Sequence, residues 1–498
     1  MQSGDDSNKP GGALAETPAG GLTDGSANDP AAGLTNALPT LPVTEGRRFA
    51  MVSLGCAKNT VDSEGIGQLL AAQGYQQVAE SDTADLVVVN TCGFIDAARQ
   101  ESIDTLLELG HAKRPGQKLL ATGCLTERYS DEIAREIPEI DAIVGARNWQ
   151  TVPRFATELT VLPPEPRQPG SSLDLMSIAP KGLIDLEMPR RVASGPSAYV
   201  KISDGCNQKC SFCAIPSMKG LLASKPLDLI LKEIGELEAQ GVREVVLVAQ
   251  DSTNYGRDEG ERDGLATLLR AITDTYPNLP WVRIMYAYPS HVTQAFLEVM
   301  AERPQICRYF DMPLQHTHPE TLRRMRRPHR PVDELLGWIR SVVPDVTIRT
   351  TFITGFPSET EAEHKHVVRS IETLGFGRVG VFLYSDEEGT PSFDLPNRVA
   401  RSVKQRRRHE LMAAAQAASR RANDALIGTV QDVLIEGEGD LNGRAVRVGR
   451  SRRDAPEVDG VVFVDGPGTI GEIVTVRVTA ALDYDLVAEP VGIAVATG

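Results

Sequence analysis

Short apolar runs alternate with amphipathic stretches over the first patterned part of the chain. The runs FAMVSL, DLVVVN and KLLATG have the length of buried strands, and DSEGIGQLLAAQG and IDTLLELG have helical spacing. Such alternation is typical of a parallel sheet with helices packed on its faces. The pattern predicts an N-terminal α/β domain with a parallel sheet over residues 47–157.

A second and longer series of the same kind begins at about residue 196. It contains six candidate strands separated by helical stretches: AYVKI, REVVLVAQ, VRIMYAY, RYFDMPL, VTIRTTFIT and RVGVFLYS. Repeated strand–helix units form barrels, and six of them suit an open or partial barrel with the helices outside. We therefore predict a partial (βα)6 barrel over residues 192–421, closed by a helix through RSVKQRRRHELMAAAQAASRRAND.

The last part of the chain has a different sequence pattern, in which short candidate strands are separated by glycine. The candidate strands are GTVQDVLIEG, GRAVRVG, GVVFVDGPG, EIVTVRVT and DYDLVAE. This pattern predicts a small β-barrel, similar to the oligonucleotide-binding (OB) type, over residues 424–492.

Two stretches lack periodic apolar positions. Residues 1–46 are rich in Gly, Ala, Pro, Asp and Thr, which predicts a disordered leader. Residues 158–191 contain a cluster of proline and glycine, which predicts a linker between the first two domains.

Composition narrows the class of protein. The chain has 498 residues, of which 41% are hydrophobic and 24% charged, as is ordinary for a soluble globular protein. No apolar run approaches the roughly 18 residues that span a bilayer, and the N-terminus lacks an export signal. Seven cysteines in so long a chain do not resemble a secreted disulfide framework. We expect a cytoplasmic protein without membrane contact, whose net charge of -15 argues against tight nucleic-acid binding.

Three cysteines lie close together directly after the first strand of the predicted barrel. Cys206, Cys210 and Cys213 form a C-x3-C-x2-C spacing in DGCNQKCSFCAIP. An iron-sulfur cluster normally takes four cysteines, so three can hold a 4Fe-4S cluster and leave one iron open to a cofactor or substrate. A zinc site is the alternative, but zinc sites favour paired C-x2-C units with a fourth ligand nearby.

Three further cysteines each follow a candidate strand of the N-terminal domain. Cys56 follows FAMVSLG, Cys92 follows DLVVVNT and Cys124 follows KLLATG. If these strands are parallel neighbours, the thiols meet in the crevice where open α/β sheets bind ligands, and they could hold a second cluster. A buried cysteine can also be a small apolar residue, which is how we interpret Cys307.

The C-x3-C-x2-C spacing resembles the defining motif of the radical S-adenosylmethionine superfamily. The resemblance implies that the open iron binds the amino and carboxylate groups of S-adenosylmethionine, and that electron transfer cleaves this cofactor to a 5′-deoxyadenosyl radical. The segments VAQDSTNYG, FDMPLQH and FITGFPSETE also agree with it, and would lie at the barrel mouth. Polar residues at strand ends are as often caps or turns. The candidate cofactor contacts in these segments are Gln250, Asp251, Gln315, His316 and Gly355.

Two three-cysteine groups, an α/β domain before the barrel and a small β-barrel after it resemble the methylthiotransferase family, from Arg47 to about Val491. The resemblance implies that the C-terminal barrel is a TRAM domain and that the N-terminal 4Fe-4S cluster carries or binds the inserted sulfur. One S-adenosylmethionine would supply the methyl group and a second the radical. It further implies an electron donor, such as a flavodoxin or ferredoxin, and a sulfur source.

The motifs SLGCAKNTVDSE, VNTCGFIDAARQESID and VAQDSTNYG look like the branch of this family that modifies an aspartate of the small-subunit ribosomal protein S-twelve. A transfer-RNA adenosine methylthiotransferase is the alternative within the family, and an iron-sulfur sensor or assembly factor is the alternative outside catalysis. From residue 427 onward, twelve acidic residues stand against six arginines, which suits a basic ribosomal protein better than RNA.

A few residues complicate or depart from this pattern. The arginine-rich run TLRRMRRPHR could contact phosphate, although a solvated helix face is the commoner explanation. Lys219 and Lys225 stand where the family usually has arginine, and Ser358 stands where it usually has glycine. Lysine cannot reproduce a bidentate arginine contact, so we expect looser or different binding at these positions.

Overall fold

The structure of the protein is a computed structural model that describes residues 46–161, 174–175, 192–327 and 330–491. The predicted leader, apart from Gly46, and most of the predicted linker lie outside these residues. None of the helices within the described ranges has the length and apolar character required to cross a bilayer.

The N-terminal domain is a six-stranded parallel sheet covered by helices on both faces. Its strands pair in the order β2-β1-β3-β4-β5-β6. Central strands of such a sheet are buried on both faces, and the run LVVVNT of β3 is buried at every position. The strands are β1 (Arg48–Ser53), β2 (Gln76–Gln77), β3 (Leu86–Thr91), β4 (Lys118–Gly123), β5 (Ala142–Gly145) and β6 (Asp174–Leu175). The helices are α1 (Ala57–Ala72), α2 (Asp96–His111), α3 (Cys124–Glu136) and α4 (Val152–Val161).

The central domain is an open barrel of six parallel strands with helices outside, which confirms the predicted α/β class. Two three-stranded sheets, β7-β10-β11 and β12-β13-β14, are joined by a parallel bridge between Val282 and Ile306. The six strands are β7 (Ser197–Lys201), β10 (Glu244–Val248), β11 (Trp281–Ile284), β12 (Tyr309–Asp311), β13 (Thr347–Thr354) and β14 (Arg378–Leu383), and a small hairpin adds β8 (Ser203–Asp204) and β9 (Ala223–Ser224). The helices are α5 (Ile215–Lys219), α6 (Leu227–Glu238), α7 (Gly264–Thr275), α8 (Gln294–Glu302), α9 (Pro319–Arg324), α10 (Val332–Val342), α11 (Glu361–Thr373) and α12 (Arg401–Asp424).

The C-terminal domain is a closed barrel with strand order β15-β16-β17-β19-β18. Closure removes the exposed sheet edges that a small β domain would otherwise present. The strands are β15 (Val430–Leu441), β16 (Arg444–Ser451), β17 (Val462–Val464), β18 (Ile473–Ala481) and β19 (Leu486–Pro490).

The loop between β16 and β17 inserts into the amino-terminal end of the central barrel. Its Ala455 is fully buried among barrel residues that include Trp281 and Tyr309. Ion pairs surround the insertion: Arg378 lies 2.6 Å from Asp454, and Arg450 of β16 pairs with Glu244 of β10. The C-terminal domain is therefore fixed to the barrel at the end opposite the cysteine loop, by contacts between residues far apart in sequence.

Candidate active site between two groups of cysteines

The structure brings Cys56, Cys92 and Cys124 together at one edge of the N-terminal sheet. They follow β1, β3 and β4, which are adjacent parallel strands. A β-carbon built on Gly55 would lie 2.9 Å from the Cys92 sulfur, and one built on Gly93 would lie 3.0 Å from the Cys124 carbonyl carbon. The three chain segments are thus in contact, and we call these cysteines the sheet trio.

Glycine and asparagine residues allow this close approach of the backbone. Gly123, just before Cys124, has a φ of 108°, a conformation that favours glycine, and a β-carbon there would collide with the Thr91 carbonyl oxygen. The Asn59 side chain donates to the carbonyl oxygens of Leu54 at 2.9 Å and Thr91 at 3.1 Å. These bonds fix the ends of β1 and β3 next to each other.

Cys206, Cys210 and Cys213 lie in the loop between β8 and α5, at the carboxyl end of the central barrel. We call them the barrel trio. Backbone N–H groups point at two of the sulfurs: Gln208 donates to Cys206 Sγ at 3.4 Å, and Ile215 donates to Cys213 Sγ at 3.5 Å. Hydrogen bonds to sulfur are one means by which proteins tune the potential of iron-sulfur clusters.

Arg327 contacts the barrel trio and was missed by the sequence analysis. Its Nη1 lies 3.4 Å from Cys210 Sγ, its Nη2 donates to the Pro313 carbonyl oxygen at 2.6 Å, and the guanidinium lies 4.3 Å from the centroid of the Tyr288 ring. The expectation of a solvated helix face is wrong for this arginine, because it is only 7% exposed. Local sequence carries no signal for a partner 117 residues away.

The spacing of the sulfurs within each trio does not suit a single zinc ion. Two thiolates on one zinc lie at most about 4.6 Å apart, twice the Zn–S bond of about 2.3 Å. Neither trio belongs to the metal-ligand groups of the described residues whose atoms all lie within 4.8 Å of one another. At least one sulfur–sulfur distance in each trio is therefore longer than two thiolates on a single zinc ion can have. A multi-iron cluster binds its cysteines through different irons, so its ligand sulfurs can lie farther apart.

The thiols of both trios are outside disulfides and are therefore available to bind iron. All seven cysteines are free. Burial raises the pKa values of Cys124, Cys206 and Cys213 to about 12. These thiols are therefore protonated at neutral pH until a metal binds, and cluster assembly must release their protons.

The two trios face each other across a thin apolar layer. Cys124 of the sheet trio packs in one buried cluster with Ala214 and Met218, which follow Cys213 of the barrel trio. Helix α1, which begins directly after Cys56, also packs against the barrel. Groups held by the two trios would therefore be neighbours.

Four buried charged residues join the two domains beside this layer, and we call them the buried clasp: Asp62, Lys201, Asp204 and Lys219. Asp62 lies on α1, whereas the other three belong to the barrel. Lys219 Nζ lies 2.8 Å from Asp62, and Lys201 Nζ contacts Asp62 and lies 3.1 Å from Asp204. Because Asp62 is on the helix that follows Cys56, and Lys219 is on the helix that follows Cys213, the clasp sets the relative position of the trios.

The charges of the clasp balance one another. Burial alone would raise the pKa of Asp204, but the ammonium groups of Lys201 and Lys219 hold it well below its usual range. Burial alone would lower the pKa of Lys219, but Asp204 and Asp62 raise it well above its usual value. Lys201, Asp204 and Lys219 are therefore ionised at neutral pH.

The predicted cofactor contacts after β10 lie beside the barrel trio. Gln250 Nε2 donates to the Asp204 carboxylate at 2.7 Å. Asp251 is 2% exposed, and its carboxylate lies 2.8 Å from His291 Nδ1. Their contact with S-adenosylmethionine stays a prediction.

The predicted contacts after β12 and β13 lie in two loops that meet at Glu359. Gln315 has a φ of 71°, and its backbone N–H donates to the Thr351 carbonyl oxygen at 2.8 Å. His316 is fully buried, with Nε2 lying 3.6 Å from the Glu359 carboxylate that also accepts the Gly355 N–H. This geometry makes His316 and Glu359 supports for the glycine loop, and direct cofactor contact at these positions also stays a prediction.

Two of the three departures from the family pattern are lysines with ion-pair partners, and the third is a serine in a glycine-like backbone conformation. Lys219 belongs to the buried clasp, and Lys225 pairs with Glu233 on α6. Ser358 has a φ of 63°, in the left-handed region that favours glycine, which is the residue the family usually has there.

Helix α11, directly after the glycine loop, starts with a capping box formed by Thr360 and Glu363. We expect Thr360→Ala to lower the free energy of unfolding by about 0.5–2 kcal/mol, because it leaves a helix N–H without its acceptor. The shift of the first denaturant-induced transition measures this effect. Thr373→Ala, at the exposed end of the same helix, is the matched control, and an equal shift in both variants would contradict the prediction.

Comparisons with known proteins match all three domains. Residues 48–145 match the model of an uncharacterized protein family, UPF0004. Residues 200–371 match the radical SAM superfamily, and residues 427–491 match the TRAM domain.

Curated relatives align over most of the chain, and they are named ribosomal protein uS12 methylthiotransferase RimO. The relative from Roseiflexus sp. (strain RS-1) is 48% identical, covering 89% of this chain and 97% of its own. Those from Chloroflexus aurantiacus and Thermosynechococcus vestitus are 46% and 41% identical, covering 88% and 90% of this chain and 98% and 97% of their own. Among solved structures, the radical S-adenosylmethionine methyltransferase TsrM from Kitasatospora setae has a TM-score of 0.52 at 15% identity. It covers 75% of this chain and 89% of its own, so it shows a shared fold.

Proposed function

Because this chain belongs to the ribosomal protein uS12 methylthiotransferase family of radical S-adenosylmethionine enzymes, we propose that it attaches a methylthio group to the β-carbon of an aspartate in protein uS12. The observation that carries the proposal is the packing of Cys124 of the sheet trio against Ala214 and Met218, in the segment that follows the barrel trio. A reaction that joins sulfur to an activated carbon needs its sulfur-bearing and radical-generating sites side by side.

In this proposal Cys206, Cys210 and Cys213 hold a 4Fe-4S cluster whose open iron takes S-adenosylmethionine. The sheet trio holds the second cluster, near which the sulfur is delivered. When bound, these groups supply the radical that removes a substrate hydrogen and the methylthio group that replaces it. The chain's task is to position them and to exclude water.

Charged residues of the chain offset the negative charge that two sets of thiolates introduce. Arg327 lies against Cys210, and Lys58 lies two residues after Cys56. The Lys58 ammonium lies 3.4 Å from the centroid of the Tyr286 ring. Burial alone would lower the pKa of Lys58, but Tyr286 and Cys56 raise it above its usual value. Lys58 therefore stays charged near Cys56, and a cation near a cysteine favours its thiolate form.

The proposal also requires partners outside the chain. A one-electron donor such as a flavodoxin or ferredoxin would reduce the barrel cluster, and a separate source would replace the sulfur consumed in each turnover. The TRAM-type barrel is fixed to the rest of the protein through Arg450 and Asp454, so it moves with the site.

The test is the mass of uS12. Reconstituted protein with S-adenosylmethionine, sulfide, a reductant and unmodified uS12 is expected to raise the mass of uS12 by about 46 Da, which is a methylthio group in place of hydrogen. Tandem mass spectrometry then places the addition on an aspartate. A matched reaction with Cys210→Ala protein is the control.

Three other outcomes would overturn parts of the proposal. An unchanged uS12 mass together with a new adenosine derivative in transfer RNA would move the substrate to nucleic acid. Absence of both products together with absence of 5′-deoxyadenosine would favour a sensor or assembly role. Addition to a residue other than aspartate would refute the stated site of modification.

A further inference from the structure

A groove of about 570 Å³ runs between helices α2 and α3 and the loop that follows β14. Its walls carry apolar side chains from all three elements, namely Ile103 and Leu107 on α2, Ile133 on α3, and Phe393 on the loop. An open groove with an apolar lining can hold side chains of an extended or helical segment from another protein.

Both walls of the groove are attached to the cysteine trios. Helix α3 begins at Cys124, and Arg128 on the same helix donates to the Gly93 carbonyl oxygen at 3.1 Å. On the opposite wall, the backbone N–H of Ser392 donates to the carbonyl oxygen of Ser211, within the loop of the barrel trio, at 2.8 Å. A segment bound in the groove would thus touch the two elements that position the reacting groups.

The groove is acidic. Its only guanidinium among the described lining residues, that of Arg99, bonds to Glu387 at 3.0 Å and Asp96 at 2.7 Å, so its charge is already balanced. Within the described part of the chain, no hydrogen bond or ion pair involves the exposed carboxylates of Glu132 and Glu388. Four carboxylates line the groove. Glu136 pairs with Arg135, and Asp386 pairs with Arg398 and Lys404, so the negative charge available to a partner is that of Glu132 and Glu388.

The acidic surface of the C-terminal domain is the alternative docking site for a basic partner, but fewer of its features suit that role. Asp454 and Asp459 are buried against Arg378 and Arg349 of the barrel, so their charges do not face solvent. The acidic surplus counted along the sequence therefore overstates the charge that this domain presents to a partner. The groove combines unpaired carboxylates, apolar walls and attachment to both trios.

We propose that this groove binds a basic segment of protein uS12 that carries apolar side chains, and that it docks the substrate next to the reacting centre. The inference rests on the proposed function. A ribosomal protein is basic because it binds RNA phosphates, and complementary charge speeds encounter and selects orientation. The apolar walls then hold the segment at short range.

Reversing the charge at the two unpaired carboxylates tests whether the groove binds uS12. We expect Glu132→Lys/Glu388→Lys to raise the KM for uS12 and its dissociation constant by roughly tenfold or more, and this effect should shrink as salt increases. The milder Glu132→Gln/Glu388→Gln is expected to give a smaller change in the same direction. Binding is measured by isothermal titration with purified uS12, and turnover by the mass assay.

Two exposed carboxylates outside the groove provide the matched control, Glu108 on α2 and Glu489 on β19. Glu108→Lys/Glu489→Lys changes the net charge by the same amount. If both double variants bind uS12 equally weakly, the loss of affinity comes from the overall charge of the protein, and the proposed binding in the groove is refuted. Wild-type values in the groove variants, with wild-type protein modifying uS12, would also overturn it while leaving the proposed function intact. If the wild-type protein neither binds nor modifies uS12, the proposed function is refuted. The proposal that the groove binds uS12 is then refuted as well.

Discussion

A Cys92→Ala variant is expected to cleave S-adenosylmethionine to 5′-deoxyadenosine within about twofold of the wild-type rate, yet to form no detectable methylthiolated uS12. Cys92 belongs to the sheet trio, whereas the cleaving site is assigned to the barrel trio. In the proposed assignment each cluster has only three thiolate ligands, so loss of one is expected to remove that cluster. Iron content is expected to fall from about eight to about four atoms per chain.

The complementary variant removes a thiol of the barrel trio. Cys210→Ala is expected to abolish both products, because without the radical no carbon is activated, and it should retain the irons of the sheet trio. Cys307 is fully buried between barrel and C-terminal domain and belongs to neither trio, so Cys307→Ala serves as the control with full iron content. The assignment of two separate clusters fails if Cys92→Ala and Cys210→Ala lose the same irons and the same reaction.

Much of the fold follows from local patterns. The buried runs of β3 and β4, the six strands of the barrel and the glycine-punctuated strands of the closed barrel could all be predicted, because apolar periodicity reports which face of an element is buried. The gathering of Cys56, Cys92 and Cys124 followed from one further rule, that parallel strands place their carboxyl ends at the same edge.

The charged contacts between domains could not be predicted in this way. Asp62 and Lys219 are 157 residues apart, and Arg378 and Asp454 are 76 apart. Each pair joins elements whose relative position depends on the packing of whole domains. A charged residue in isolation predicts solvent exposure, since burial is favourable only when a partner is present, and the partner is not visible in the local sequence.

Asp62→Asn is expected to uncouple the two halves of the reaction by loosening the contact between the domains. The substitution leaves Lys201 and Lys219 sharing the single carboxylate of Asp204, inside a clasp that is almost fully buried. Removal of one partner from a buried ion pair costs about 3–5 kcal/mol, because an uncompensated charge remains. We expect this cost to appear at the domain interface, where α1 can move away from the barrel and carry Cys56 with it.

The measured ratio of 5′-deoxyadenosine to methylthiolated uS12 distinguishes this effect from general damage. It is expected to rise about tenfold or more in Asp62→Asn, since a displacement of about 1 Å can cost a factor of about 100 in a positioned reaction, while the barrel trio keeps its irons. Asp62→Asn/Lys219→Gln restores charge balance and should recover much of the stability, and Lys219→Arg keeps the charge and should stay coupled. Asp82→Asn, exposed in the same domain, is the control. An unchanged ratio in Asp62→Asn would show that the clasp does not set the position of the sheet trio.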